Sequence, residues 1–218
     1  MAIVKPGHVG DFTGKIGRVV VAKFRDLIVG RSAPSPSTKP PTLKQLNQQM
    51  KFGLVTAFFS RMSKVTSTRY VSKGNLGGLN AAVRDNIDNV ITGAYPNYQL
   101  DYTKIQVTKG NGDVVGGSNP SLTVLPQAQV TVNWTMQTRQ GLPLDADPKD
   151  LVTLALYNVT KKKTMVFFDT AERSELTVTC DLPFSFVGDQ CHIYLYFTSV
   201  DGKNISDSEH VGSFVIIE

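Results

Sequence analysis

The sequence predicts an α+β N-terminal unit, a β-ribbon plus two helices, followed by an all-β antiparallel sandwich. Three observations carry that prediction. Residues 16–31 crowd β-branched side chains (Ile16, Val19, Val20, Val21, Ile28, Val29) whose stiff χ1 favours extended backbone. Between Leu43 and Ile91 apolar residues recur every three or four positions, as on one face of a helix. Beyond residue 100, short alternating runs recur between turn signals. The boundary is therefore expected near residue 100, with a docking unit over 1–100 and a sandwich over 101–218.

The ribbon opens on the glycine-punctuated stretch Gly10–Gly17 and reads as a strand over Ile16–Phe24, a tight Arg25-Asp26 reversal and a second strand over Leu27–Arg31. A lone two-stranded ribbon is marginal in water, so this one requires a surface to lie on. Residues 33–41, APSPSTKPP, are proline-rich and extended. Thr42 with Gln45 forms a capping box, which predicts a helix from Leu43 to Lys64 with the stripe Leu43, Leu46, Met50, Leu54, Phe58 and Met62. A second helix is predicted over Leu79–Thr92, stopped by Gly93. Seven strands are then expected: 104–109, 129–136, 151–159, 164–169, 175–180, 192–198 and 212–217. In the second of them Val130, Val132, Trp134 and Met136 fall on one face, and in the sixth Ile193, Leu195 and Phe197 alternate with Tyr194 and Tyr196. An early inward Trp134, an aromatic sixth strand and a closing strand after residues 206–210, SDSEH, resemble the fibronectin type III and immunoglobulin-like pattern.

Composition bounds the function. The 218 residues are 41% hydrophobic and 19% charged, enough apolar mass for packed cores. The net charge of +5 is unevenly spread. Residues 1–100 carry 14 Lys and Arg against 4 Asp and Glu, leaving 9 against 14 for residues 101–218. A basic half meets nucleic acid, an acidic partner, or the acidic half of its own chain. No run approaches the ~20 apolar residues of a membrane span, and the N-terminus lacks the apolar stretch of a secretory signal. Cys180 and Cys191 read as free thiols.

No catalytic, cofactor or metal site is expected. Gly10–Lys15 has three residues between its glycines where a phosphate loop has four, Ile16 where it has Ser or Thr, and a strand where it has a helix. Asp145, Asp147 and Asp150 lack the spacing and terminal glutamate of a calcium loop. His8, His192 and His210 show no helical metal spacing, and strand neighbours Cys191 and His192 point to opposite faces. The remaining candidates are Lys15, Arg18, Lys23, Phe24, Arg25 and Arg31, presented by the ribbon to a partner. Nucleic acid is a possible occupant but not the favoured one, because aromatic stacking platforms are thin there.

Several motifs carry a wider resemblance: Thr13-Gly14-Lys15-Ile16-Gly17, Arg31-Ser32-Ala33-Pro34, Gln45-Leu46-Asn47-Gln48, Thr92-Gly93-x-Tyr95-Pro96-Asn97-Tyr98 and Asp101-Tyr102-x-Lys104. By these the chain is similar to an uncharacterised family of roughly 200-residue proteins encoded by Bacteroidetes and their phages and prophages. Phe24 departs from it, standing where relatives more often show Trp. The resemblance implies no activity. Its phage setting implies a virion or bacterial-cytoplasmic location and a non-enzymatic structural role, docking on the protein subunits of a capsid-, portal- or tail-like assembly. The alternatives are a nucleic-acid-binding protein using the ribbon and a carbohydrate- or surface-binding module using the sandwich loops.

Overall fold

In a computed structural model the structure describes residues 2–3, 13–24, 27–35, 39–71, 76–110, 112, 114–116, 119–136 and 146–218. Described residues are mostly in antiparallel strands, with three α-helices among them. The chain divides into two compact units, Met1–Thr42 and Leu43–Glu218. The division falls at Thr42 rather than near residue 100 because the helices share a core with the strands that follow them.

The first unit is a four-stranded sheet. Its strands are β1 (Ala2–Ile3), β2 (Gly14–Ile16), β3 (Val19–Phe24) and β4 (Leu27–Ser32), in the order β1-β4-β3-β2. The single strand expected over 16–24 is broken at Gly17, whose φ of +58° is open to glycine at little cost and folds β2 back on β3. The reversal at Arg25-Asp26 lies outside the described residues.

The second unit begins with α1 (Leu43–Arg61), α2 (Ser63–Arg69) and α3 (Gly78–Asn86). The long first helix breaks at Met62. Beyond it the hydroxyls of Thr66 and Thr68 bond back to the carbonyls of Met62 and Lys64, a habit that bends helices. The predicted second helix stops at Asn86, not Thr92. Its last residues instead form β5 (Ile91–Thr92), paired with β6 (Gln99–Leu100).

Seven further strands follow: β7 (Ser121–Leu125), β8 (Gln129–Asn133), β9 (Leu151–Asn158), β10 (Lys163–Glu172), β11 (Thr177–Asp181), β12 (Gln190–Thr198) and β13 (Glu209–Val215). They form a three-stranded sheet, β11-β8-β7, and a four-stranded sheet, β10-β9-β12-β13. The strand expected over 104–109 is absent. Asp101 caps a 3-10 turn at Tyr102–Lys104, and the amides beyond it bond to side chains, Gln106 to Asn86 and Val107 to Ser208. Ser121–Leu125 takes its place as the first strand, between Pro120 and Pro126.

Val130, Val132, Leu154, Leu156, Ile193, Leu195 and Phe197 fill the core between the two sheets. The opposite face of the four-stranded sheet carries Ala155, Tyr157, Tyr194 and Tyr196, packed beneath Val55, Phe58, Phe59 and Met62 of the helical layer. Strand β12 is buried from Cys191 to Thr198, so both sides of its alternation are inside.

Candidate docking surface

The register of the N-terminal sheet decides what its basic residues can do together. Lys15 pairs with Val20, and Val20 with Arg31, so these three form one row across β2, β3 and β4. Directly opposed residues project to the same face, and the face alternates along each strand. Lys23 pairs with Ile28 and belongs to the other face. Arg18 occupies the Gly17 turn, where its carbonyl accepts the Ala33 amide at 2.7 Å. Phe24 pairs with Leu27 at the end of the hairpin, and Arg25 lies outside the described residues. Of the six candidates, the sheet aligns Lys15 and Arg31 and turns Lys23 away from them.

Around these cations the sheet exposes apolar side chains: Ile16 at 60%, Val19 at 47% and Leu27 at 49% of full accessibility. Among the residues of this unit in 13–23, 27–35 and 39–42, only Val21 and its partner Gly30 are buried. Residues 1–42 hold seven Lys and Arg against two Asp and Glu, and residues 43–218 hold sixteen of each. The N-terminal unit therefore carries the whole net charge of the chain. The rest of the basic half balances the acidic half within the second unit.

A second exposed apolar set lies on the first half of α1. Leu43, Leu46 and Met50 share one stripe and are exposed, whereas Val55, Phe58 and Phe59 further along are buried. The helix thus uses about half of its predicted stripe against its own sheet. Lys51 sits 5.2 Å from the Tyr98 ring, and the Tyr98 hydroxyl donates to Asn47 at 2.6 Å.

Other polar groups gather in places that linear spacing does not announce. A cleft of about 570 Å³ is lined by Arg84, Asp85, Lys109 and Asp207. Both cations there bond to Asp85 at 2.7 Å, and the Arg84 hydrogen bond leads in holding that carboxyl below its usual range. Asp150 forms a buried ion pair with Arg173 at 3.3 Å, and the guanidinium lies 3.7 Å from the Phe197 ring centre. Burial pushes the Asp150 carboxyl up in spite of that partner. Asp147 accepts the Lys149 amide, while Asp145 and His8 lie outside the described residues. Cys191 belongs to the core between the sheets and Cys180 is buried in it as well; burial pushes their thiols up to about 12 and about 11. His192 and His210, distant in sequence, meet at 3.0 Å. Among the described residues no group of three His, Cys, Asp or Glu is placed to hold a metal ion, and no helix is long and apolar enough to cross a membrane.

Fold and surface together define a mostly-β protein with a helical layer and a separate, basic N-terminal sheet. The chain belongs to a family of unknown function, DUF6266, whose model matches residues 11–212. The curated proteins contain no match to it. Among solved structures it is similar to the twitchin kinase region from C. elegans (Fn31-NL-kin-CRD-Ig26), with 14% identity and a TM-score of 0.33. That match covers 46% of this chain and 16% of the other, and a likeness of this size carries no argument about function.

Proposed function

We propose that the protein is a non-enzymatic structural protein that docks through its N-terminal sheet onto an acidic, partly apolar surface of a larger protein assembly. The observation that carries this reading is the pairing of charge and exposure in residues 1–42. That unit holds the whole +5 of the chain and leaves Ile16, Val19 and Leu27 exposed. So small a unit, with so few buried side chains among its described residues, gains little stability from its own packing and is completed by a surface outside it. Phe58 and Phe59 are packed in the chain's own core, so the docking role expected of the helices narrows to the exposed Leu43, Leu46 and Met50 of α1. In its specific form the reading is a virion component of the capsid-, portal- or tail-associated kind, the setting implied by the resemblance to phage-encoded proteins. The strand orders β11-β8-β7 and β10-β9-β12-β13 support a fibronectin type III-like sandwich as the body that such a docking unit would anchor.

Amine-directed crosslinking of the intact chain in native material tests the docking. Crosslinks from Lys15 and Lys23 to acidic-surface subunits are the expected result. A free monomer with no crosslink from either lysine overturns it.

The Lys15–Val20–Arg31 row also favours a second reading, in which the sheet meets nucleic acid. That reading requires log affinity to fall with log salt by about 0.9 per phosphate contact on duplex DNA, and a flat salt response dismisses it.

A further inference from the structure

The outer face of the four-stranded sheet holds an imidazole pair under the one short segment that links the helical layer to the sandwich. His192 of β12 and His210 of β13 lie on the same face, since Tyr194, two residues from His192, pairs with His210. The His192 Nδ1 and His210 Nε2 atoms are 3.0 Å apart. Tyr102, from the 3-10 turn, stacks on His192 with ring centres 4.5 Å apart. The Tyr102 carbonyl accepts the Tyr194 hydroxyl at 2.9 Å, and the Tyr102 ring also approaches Tyr157 and Phe58. The turn is thus held between α1 and the sheet with His192 as part of its floor.

We propose that the His192–His210 pair is an acid-sensitive latch, and that protonation of both rings releases Tyr102 and its turn from the sheet. Two neutral imidazoles share one hydrogen bond, one ring donating and the other accepting. One added proton leaves that bond possible. A second removes the last acceptor and sets two positive charges at hydrogen-bond distance.

Among the described residues, charged and titratable groups surround the pair. Asp101, on the turn, is the carboxylate whose charge reaches both rings and favours their protonation. Tyr157 comes from β9 and Tyr194 from β12, and Arg61 of α1 acts on the two tyrosines of the stack, Tyr102 and Tyr157. Glu209 stands next to His210, and its charge reaches Arg173. Burial outweighs Asp101, bringing His192 down to about 4 and His210 below its ordinary value. A base depressed in the folded state stabilises the closed form fully above about pH 6.5. That stabilisation is lost as pH falls toward the folded value.

Hydrogen exchange on the full-length chain reads the latch, because the Asp101, Thr103 and Lys104 amides are all bonded in the closed turn. Their protection factors should fall about tenfold or more between about pH 7 and about pH 4.5, while those of β9 and β12 hold. In His210→Gln the fall per pH unit should shrink by about half, since one of two linked protons is gone. Protection that stays flat, or an equal slope in the variant, overturns the latch. If the variant does not fold, ring-nitrogen NMR of the unaltered protein decides: two independent titrations near about pH 6.5 overturn it, and depressed, mutually dependent ones support it.

Discussion

Asn86 binds the backbone of Gln106 with both halves of its side-chain amide. Its nitrogen donates to the Gln106 carbonyl at 3.1 Å and its oxygen accepts the Gln106 amide at 2.9 Å, while the same nitrogen reaches back to the Ala82 carbonyl. A side chain here does what a neighbouring strand would do, tying the end of α3 to the irregular segment before the sandwich. Replacing Asn86 with Ala takes these partners from the half-buried amide and carbonyl of Gln106. A loss of about 3 kcal/mol in urea-measured stability is the expected outcome.

The two halves of α1 should respond oppositely to truncation. Phe58 packs with ring centres 4.8 Å from Tyr157 and 5.2 Å from Phe59, so Phe58→Ala should cost about 3–5 kcal/mol. Leu43 is 67% exposed, and Leu43→Ala should stay within about 0.5 kcal/mol. Thermal unfolding of the two variants side by side makes the comparison.

For the buried ion pair, removing one partner should do more harm than removing both. Asp150→Ala strands the Arg173 guanidinium, whose side chain is only 4% exposed, and should cost about 3–5 kcal/mol. The double change Asp150→Leu with Arg173→Met keeps apolar volume against Phe197 and should recover most of that loss, as denaturant midpoints will show.

Gly53 stands in the middle of α1 with open space where a Cβ would be, and its φ is ordinary. Gly53→Ala should therefore stabilise the protein by about 0.5–1 kcal/mol. Gly110 is the contrast. A Cβ there would meet the Ile205 carbonyl oxygen, and Gly110→Ala should cost more than about 2 kcal/mol, read in the same melting experiment.

What could be read from the sequence follows from how local each signal is. Alternation over 129–136 and 192–198 needs only neighbouring residues, and a strand lies at both places, the first ending at Asn133 and the second beginning at Gln190. The same alternation gave no hint that Tyr194 and Tyr196 would lie under a helical layer, because an outward face and a second buried face have one period. Residues 104–109 carry a strand-like pattern, yet the amides of Gln106 and Val107 bond to the side chains of Asn86 and of Ser208, the latter about a hundred positions away. Helix periodicity over 43–64 located α1 but could not show that its first half stays exposed. At the docking surface, the candidate cations could be named from composition. Their distribution over two faces depends on the Gly17 turn, which shifts the strand start and sets the register. The imidazole pair had no sequence signal at all, since His192 and His210 meet only through strand pairing.

The division at Thr42 makes the chain separable by charge alone. A single proteolytic cut there would divide a protein with pI about 9.2 into a small cationic fragment and a remainder with sixteen groups of each sign. Near neutral pH the larger piece should pass through a cation-exchange resin that retains the parent. Loss of retention on such a column is thus a direct gauge of whether the first 42 residues are still attached.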